Sequence, residues 1–298
     1  MKRILCFSTL FLATIIFAQA QDTTAKAEPV KNWTYKGLTG LNFAQAALIN
    51  WSAGGENTIS GNVYFNGQLN YKKDRWIWEN VLNTELGTMY SQTNDWQKTV
   101  DKLQLTSKLG YAQNKKLYYS VVADFLTQYA KGYSKPTDIN YLSNFMAPGY
   151  LTVAAGIDFK PSSVFSFFFS PLTERLTFVL DDSLSLAGAF GVAPGDKIHA
   201  QSGMLAKLAM DLKVAENIQI ISTLDLFTAY DDTFGNVVVD WNTLISMKIT
   251  KYLTSTLNLG LKYDNAVKTT ETVNGVDVER GAKVQFKEIL GLGISYTF

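Results

Sequence analysis

The sequence predicts an all-β protein, a transmembrane antiparallel β-barrel of about 12 strands with short periplasmic turns and long extracellular loops. Three observations carry that expectation. Apolar residues alternate with polar ones through segment after segment, tight connections alternate with long ones, and an export-type leader precedes the pattern while an aromatic residue closes it. Composition agrees. Apolar residues make up 47% and aromatics 13%, too many for a disordered chain. The 27 Lys and Arg balance 26 Asp and Glu, so there is no electrostatic case for nucleic acid as a partner.

Residues 1–20 read as a signal peptide. Lys2 and Arg3 make a basic start, Ile4 to Ala18 is mostly apolar, and Ala18-Gln19-Ala20 is a small-x-small cleavage site. The apolar stretch is shorter than the roughly 20 residues a membrane helix needs. Cleavage after Ala20 removes Cys6, the one cysteine, so the exported chain carries no disulfide. Residues 21–35 are polar and read as a periplasmic lead-in, with the barrel over 36–298.

From there the strands follow in order at 36–48, 58–72, 75–91, 102–113, 117–131, 150–160, 164–180, 199–214, 217–230, 236–250, 252–265 and 284–298. In 237–249 one face carries Val237, Val239, Trp241, Ile245 and Met247, and the other Asp240, Asn242, Ser246 and Lys248. A period of two means a strand with one apolar and one polar face. Pro171 and the Glu174-Arg175 pair interrupt the seventh strand, where a bulge or a strand end is expected. Tight connections follow the second, fourth, sixth, eighth and tenth strands. Long ones fall at 91–101, 131–149, 181–198 and 266–283. An even strand count with turns at one end and loops at the other is the outer-membrane pattern.

Aromatics gather beside the short turns (Tyr71, Trp76, Trp78, Tyr111, Tyr119) as an interfacial girdle, and a looser set including Tyr90, Trp96 and Trp241 sits toward the loops. The final strand alternates Leu290, Leu292, Ile294, Tyr296 and Phe298 with small residues. It resembles the C-terminal assembly signal of bacterial outer-membrane barrels, in which Tyr296 and Phe298 would be read by the barrel-assembly machinery.

If the apolar face meets lipid, the polar face lines a lumen. Its expected charged residues are Glu79, Glu85, Asp124, Asp158, Asp211, Asp225 and Asp240, against Lys108, Lys160, Lys207, Lys213, Lys248 and Lys262. The near balance argues against strong ion selectivity. It suits either a passive channel or a salt-bridged interior.

No enzyme is expected. The single histidine, His199, has Ser202 three residues on, which alternation puts on the opposite strand face, so a Ser–His pair does not form. One histidine and no mature cysteine argue against a transition-metal centre, and no cofactor is expected. The acidic pairs Asp181-Asp182 and Asp231-Asp232 open long-side loops and are read as solvated, with divalent-cation binding the other reading.

Leu41-Asn42-Phe43 with Gln45, the run Asn50 to Asn57, Gly156-Ile157-Asp158-Phe159-Lys160-Pro161, Ser170-Pro171-Leu172-Thr173 and Gly188-Ala189-Phe190-Gly191-Val192 carry a resemblance. Over about 32–298 the chain resembles a family of Bacteroidota outer-membrane barrels catalogued as a domain of unknown function, DUF3078. The resemblance implies a barrel in the cell outer membrane and supplies no catalytic or binding residues. The function expected is a passive channel or uptake barrel for small solutes. The alternative is a non-conducting accessory barrel in an envelope protein complex. Outer-membrane lipid, the assembly machinery and envelope proteins are the partners expected.

Overall fold

In a computed structural model the described residues are 32–47, 57–93, 95–133, 138–265, 268–273 and 276–298. The expected signal peptide, most of the lead-in and residues 50–56 of the run Asn50 to Asn57 lie outside them. Twelve antiparallel strands close into one barrel. They are β1 (Trp33–Ala46), β2 (Thr58–Lys73), β3 (Trp76–Ser91), β4 (Asp95–Ala112), β5 (Leu117–Thr127), β6 (Gly149–Phe159), β7 (Phe165–Phe178), β8 (Ile198–Ala215), β9 (Ile218–Ala229), β10 (Val238–Lys248), β11 (Leu253–Tyr263) and β14 (Gln285–Thr297). Between the last two, β12 (Lys268–Val273) and β13 (Val276–Ala282) pair only with each other. Neighbours in sequence are neighbours in the wall, and β14 returns to β1.

Burial decides which face is inside. Leu41, Phe43, Val63, Leu69, Leu86, Leu105, Leu109, Val121, Val153, Ile157, Leu290 and Ile294 stand exposed on the outer surface. Asn42, Ser120, Asp158, Ser170, Thr254, Thr256 and Ser295 are buried. A water-soluble sandwich would hide the first set and expose the second. This polarity is inverted, as a lipid-facing barrel requires. The barrel strands run from 11 to 18 residues, enough for the 9–11 that a tilted strand needs to cross the hydrocarbon core.

Several boundaries differ from the sequence expectation, each for a packing reason. β1 begins at Trp33, inside the expected lead-in, because Trp33 packs on Tyr71 and Trp78 with ring centroids 4.9 and 5.8 Å apart. Strand replaces most of the expected long loop at 91–101. β4 starts at Asp95, and Trp96 packs on Tyr90 beside a bulge at Gly87 and Thr88 that disturbs the alternation. The loop expected at 266–283 contains the β12–β13 hairpin. The interruption at Pro171 is a bulge, with a register shift between Ser170 and Thr173.

Closure rests on the C-terminal residues. Residues 38–42 of β1 pair with residues 293–297 of β14, and Gly37 and Phe298 exchange two backbone hydrogen bonds of 2.9 Å. The Phe298 ring lies across Gly37, where a Cβ would stand 2.0 Å from the ring edge. Only glycine admits that approach, a case of an aromatic ring covering a strand glycine. We expect Gly37→Ala to lower the urea-unfolding midpoint by about 1–3 kcal/mol of stability, the usual cost of overpacking. Loss of the heat-modifiable folded band in gel electrophoresis reports it.

Candidate functional site

The interior of the barrel is the candidate site. Side chains that meet from non-neighbouring strands can do so only across the lumen, and several charged residues do.

The tier nearest the short turns joins Glu79 of β3, Lys108 of β4, Asp158 of β6 and Lys160 just beyond it. Lys108 Nζ is 2.7 Å from Asp158 Oδ2 and 3.3 Å from Glu79 Oε2. Lys160 contacts both carboxylates as well. Asp158 is fully buried, and its Oδ1 accepts from the Ser166 hydroxyl at 2.8 Å. Below this tier a cavity of about 510 Å³ lies between the first two short turns, lined by residues including Lys72, Arg75, Ile77, Lys115 and Tyr118.

The middle tier holds Lys207 of β8, 2.8 Å from Asp225 of β9 and 3.7 Å from Asp124 of β5. Asp124 also accepts from Thr106 and Gln104 of β4. Lys262 of β11 lies 3.2 Å from Asp240 of β10, which also accepts from Asn242. Glu85 accepts from Asn62 of β2 at 2.6 Å. Beside these groups Val122, Ala154, Phe168, Leu205, Phe227 and Ala229 form a buried apolar cluster on the inner wall of β5 to β9.

Toward the long loops Arg175 of β7 is 3.8 Å from Asp264, which follows β11 on the far side of the barrel. Its guanidinium lies over the rings of Tyr150 and Phe227, at 5.2 and 5.7 Å.

The structure thus brings Glu79, Lys108, Asp158 and Lys160 into one cluster and Asp124, Lys207 and Asp225 into another, and it pairs Asp240 with Lys262. Four expected residues stand apart from these clusters: Glu85 accepts from Asn62 at 2.6 Å, Asp211 accepts from Gln219 at 2.7 Å, and Lys213 and Lys248 are exposed near the short-turn end. Sequence reading missed Arg175 and Asp264, because the bulge at Ser170 shifts the parity after it and Asp264 lies past a strand end. It also missed Lys102, whose even number matches Gln104, Thr106 and Lys108 on the inner face of β4. That parity was readable. His199 stands opposite Thr177, and Ser202 donates instead to Glu174 at 2.5 Å.

Two loops on the long side pack together as a cap. Asp181 Oδ2 accepts from the Tyr141 hydroxyl at 2.8 Å and Asn144 Nδ2 at 3.0 Å, both from the β5–β6 loop. Its Oδ1 caps the short helix α1 (Asp182–Leu186) through the Ser183 and Leu184 N–H groups. Ala147, Val179, Leu184 and Val192 form the apolar centre of this cap. Asp182 pairs with Lys197 at 2.7 Å, and Asp231 accepts from the backbone N–H and hydroxyl of Thr233. The oxygens of Asp181 are therefore engaged by four donors rather than turned out together toward a cation.

Residues 43–133 match the model of a family described as a protein of unknown function, DUF3078. The matched stretch runs from β1 through β5. The motifs at 156–161, 170–173 and 188–192 lie beyond it, yet the first supplies Asp158 and Lys160 and the second is the bulge. No curated protein matches the chain in sequence. Among solved structures the fold is similar to an outer membrane channel from Pseudomonas putida F1, at 13% identity and TM-score 0.40, covering 92% of this chain and 100% of that one. It is also similar to the translocator domain of the autotransporter NalP from Neisseria meningitidis, at 9% and 0.38, covering 91% and 90%. A third is the NanC porin, at 9% and 0.35, covering 88% and 98%.

Two predictions follow from these contacts. Asp158→Asn leaves Lys108 and Lys160 sharing Glu79 alone, and we expect a loss of about 3 kcal/mol in urea unfolding, the cost of breaking a buried ion pair. Burial works to raise the Asp181 pKa. The bonds from Asn144, Tyr141, Leu184 and Ser183 outweigh it and hold the carboxyl below the usual carboxylate range. A lowered folded pKa contributes stability above the unfolded value, and that contribution is lost as pH falls through the folded one. Protection of the cap amides from hydrogen exchange should hold at pH 5–7 and fall only below about pH 3.9. In Asp181→Ala it should be weaker throughout, by about 1 kcal/mol or more for the lost cap.

Proposed function

We propose that this protein is an outer-membrane barrel giving small polar solutes a narrow, charge-lined passage, with its short turns in the periplasm and its long loops outside. Water access to the inner ion pairs carries the reading. The side chains of Lys262 and Asp240 keep 55% and 31% of their surface exposed while paired, and Asp225 and Glu79 also keep 31%. Ala209 and Thr223, facing each other on the inner wall of β8 and β9, are exposed as well. A dry, plugged interior would leave such groups buried. The lumen is constricted rather than wide, since Phe168 and Phe227 narrow it from one wall and the ion pairs span it. Selection by size and charge suits that shape better than general diffusion.

This reading gives the barrel no reaction to catalyse. Its partners are outer-membrane lipid around the apolar band and the barrel-assembly machinery during insertion. The second reading, a non-conducting accessory barrel that docks on envelope proteins, is favoured by the cap, whose two loops are locked through Asp181 and an apolar centre.

Planar-bilayer recording of the refolded, heat-modifiable protein separates the two. We expect reproducible single-channel steps, with larger steps in Phe227→Ala, where a bulky inner side chain is removed. A folded barrel that stays silent in both forms would overturn the passage and leave the accessory reading.

A further inference from the structure

Most cations reaching across the barrel have a carboxylate in contact. Lys108 and Lys160 share Glu79 and Asp158, Lys207 has Asp225 and Asp124, Lys262 has Asp240, and Arg175 has Asp264. Lys102 of β4 and Lys287 of β14 do not: among the described residues neither makes an ion pair or a hydrogen bond. Glu85 stands opposite Lys102 in the ladder, but its carboxylate is turned to Asn62 on β2. The charges that act on Lys102 are, from the strongest, Asp240, Lys262, Asp124 and Lys287. All but Asp124, on adjacent β5, come from the opposite arc of the wall, so Lys102 extends inward across the lumen.

Lys287 approaches from that far side. It stands opposite Gly260, and its stem passes over β11, with Cε 3.6 Å from where a Cβ on that glycine would be. Lys262 stands two residues along the same strand. The carboxylates within reach are already committed, Asp240 to Lys262 and Asn242, and Asp124 to Lys207, Thr106 and Gln104. Three lysines therefore face a stretch of lumen whose two carboxylates, Asp240 and Asp124, are both already bonded elsewhere.

We propose that Lys102, Lys262 and Lys287 form a binding constriction for small oxyanions, carboxylate or phosphate, toward the long-loop ends of β11 and β14. Lys287 is exposed and Lys102 half-buried, and with no carboxylate in contact they leave a local excess of positive charge facing the lumen that calls for a counter-charge. A solute anion supplies that counter-charge. Lysines give movable point charges rather than a rigid fork, so they hold an anion without demanding one geometry, and they can release it. Two of the three come from opposite walls, which favours a dianion over a monoanion. The inference deepens the passage reading and rests on it for transport, although the anion site itself can exist in a barrel that does not conduct.

Succinate and inorganic phosphate are the probes, against chloride at equal ionic strength. In the folded wild-type protein in detergent we expect both to raise the thermal unfolding midpoint. Removing a charge-assisted contact costs about 1.5–3 kcal/mol, so Lys102→Gln and Lys287→Gln should each weaken apparent binding about tenfold or more. Lys213→Gln and Lys248→Gln, near the short-turn mouth, should leave it unchanged. In bilayers the wild type should prefer anions and its chloride current should fall with added succinate, and each inner variant should lose both properties. No midpoint shift in the wild type, or an equal shift in the inner variants, overturns the site. A silent bilayer with the midpoint shift and its loss intact keeps the site and overturns only the passage.

Discussion

The structure depends on one constraint, that a backbone crossing lipid must pair every N–H and C=O internally. A single unpaired edge would leave a row of polar groups in hydrocarbon, each costing several kcal/mol. A sheet meets that demand only by closing on itself. Here closure comes from the last residues of the chain. β14 pairs with β11 along residues 285–294 and hands its other edge to β1 over 293–297. Gly37, Phe298 and the small residues Gly291 and Gly293 belong to that seam. Any Cβ at Gly293 would stand 2.0 Å from the Leu41 carbonyl oxygen, so the close approach of the two strands needs glycine there. Asn42 fills the space those glycines leave and bonds Thr256 across β14 at 3.3 Å.

Closure then sets the electrostatic problem of the interior. Once the apolar face of each strand has turned outward, its polar face has nowhere to go but in. Charges that would be independently solvated on a soluble sheet must find partners across a narrow lumen. The tiers solve this in different ways. Asp158 is fully buried and contacts two lysines and a serine, whereas Lys262 and Asp240 remain wet while paired. Replacing such pairs by apolar side chains often leaves stability unchanged or higher. Folding energy alone therefore does not account for their presence inside the barrel.

The wall was legible in the sequence because it rests on a period of two. Val237 to Met247 and Leu290 to Phe298 could be assigned to the lipid face from spacing alone, and the structure exposes residues such as Leu290, Ile294 and Tyr296 there. The lumen was legible as a set of residues but not as a set of contacts. Parity places Glu79, Asp158 and Lys207 inside. It cannot say that Lys108 bridges β3 to β6 or that Lys207 reaches β5, because shear and curvature decide which levels face each other. Strand ends were less readable still. Asp95 to Val100 looks like a polar loop until Trp96 meets Tyr90, and the β12–β13 hairpin has no barrel face to impose alternation on it.

The bulge in β7 shows how one local irregularity assigns charge to a face. Before it the buried inner residues have even numbers, Phe168 and Ser170. After it they are Thr173 and Thr177, with Arg175 between them. The Ser170 hydroxyl lies 2.8 Å from the carbonyl oxygens of both Ala155 and Leu172, and Thr173 donates to it at 3.0 Å, so the irregular backbone is satisfied inside the wall. Without that shift of one residue, Arg175 would point into lipid and Leu172 into the lumen. An arginine on the lipid face costs about 2–4 kcal/mol at the midplane and about 0–1 kcal/mol near the interface, the end of β7 where Arg175 lies. With the shift, Arg175 instead reaches Tyr150, Phe227 and Asp264, and Leu172 is exposed outside. Ser170-Pro171-Leu172-Thr173 is therefore a device of the wall that acts on the lumen. It selects which of two adjacent charged residues, Glu174 or Arg175, faces the lumen.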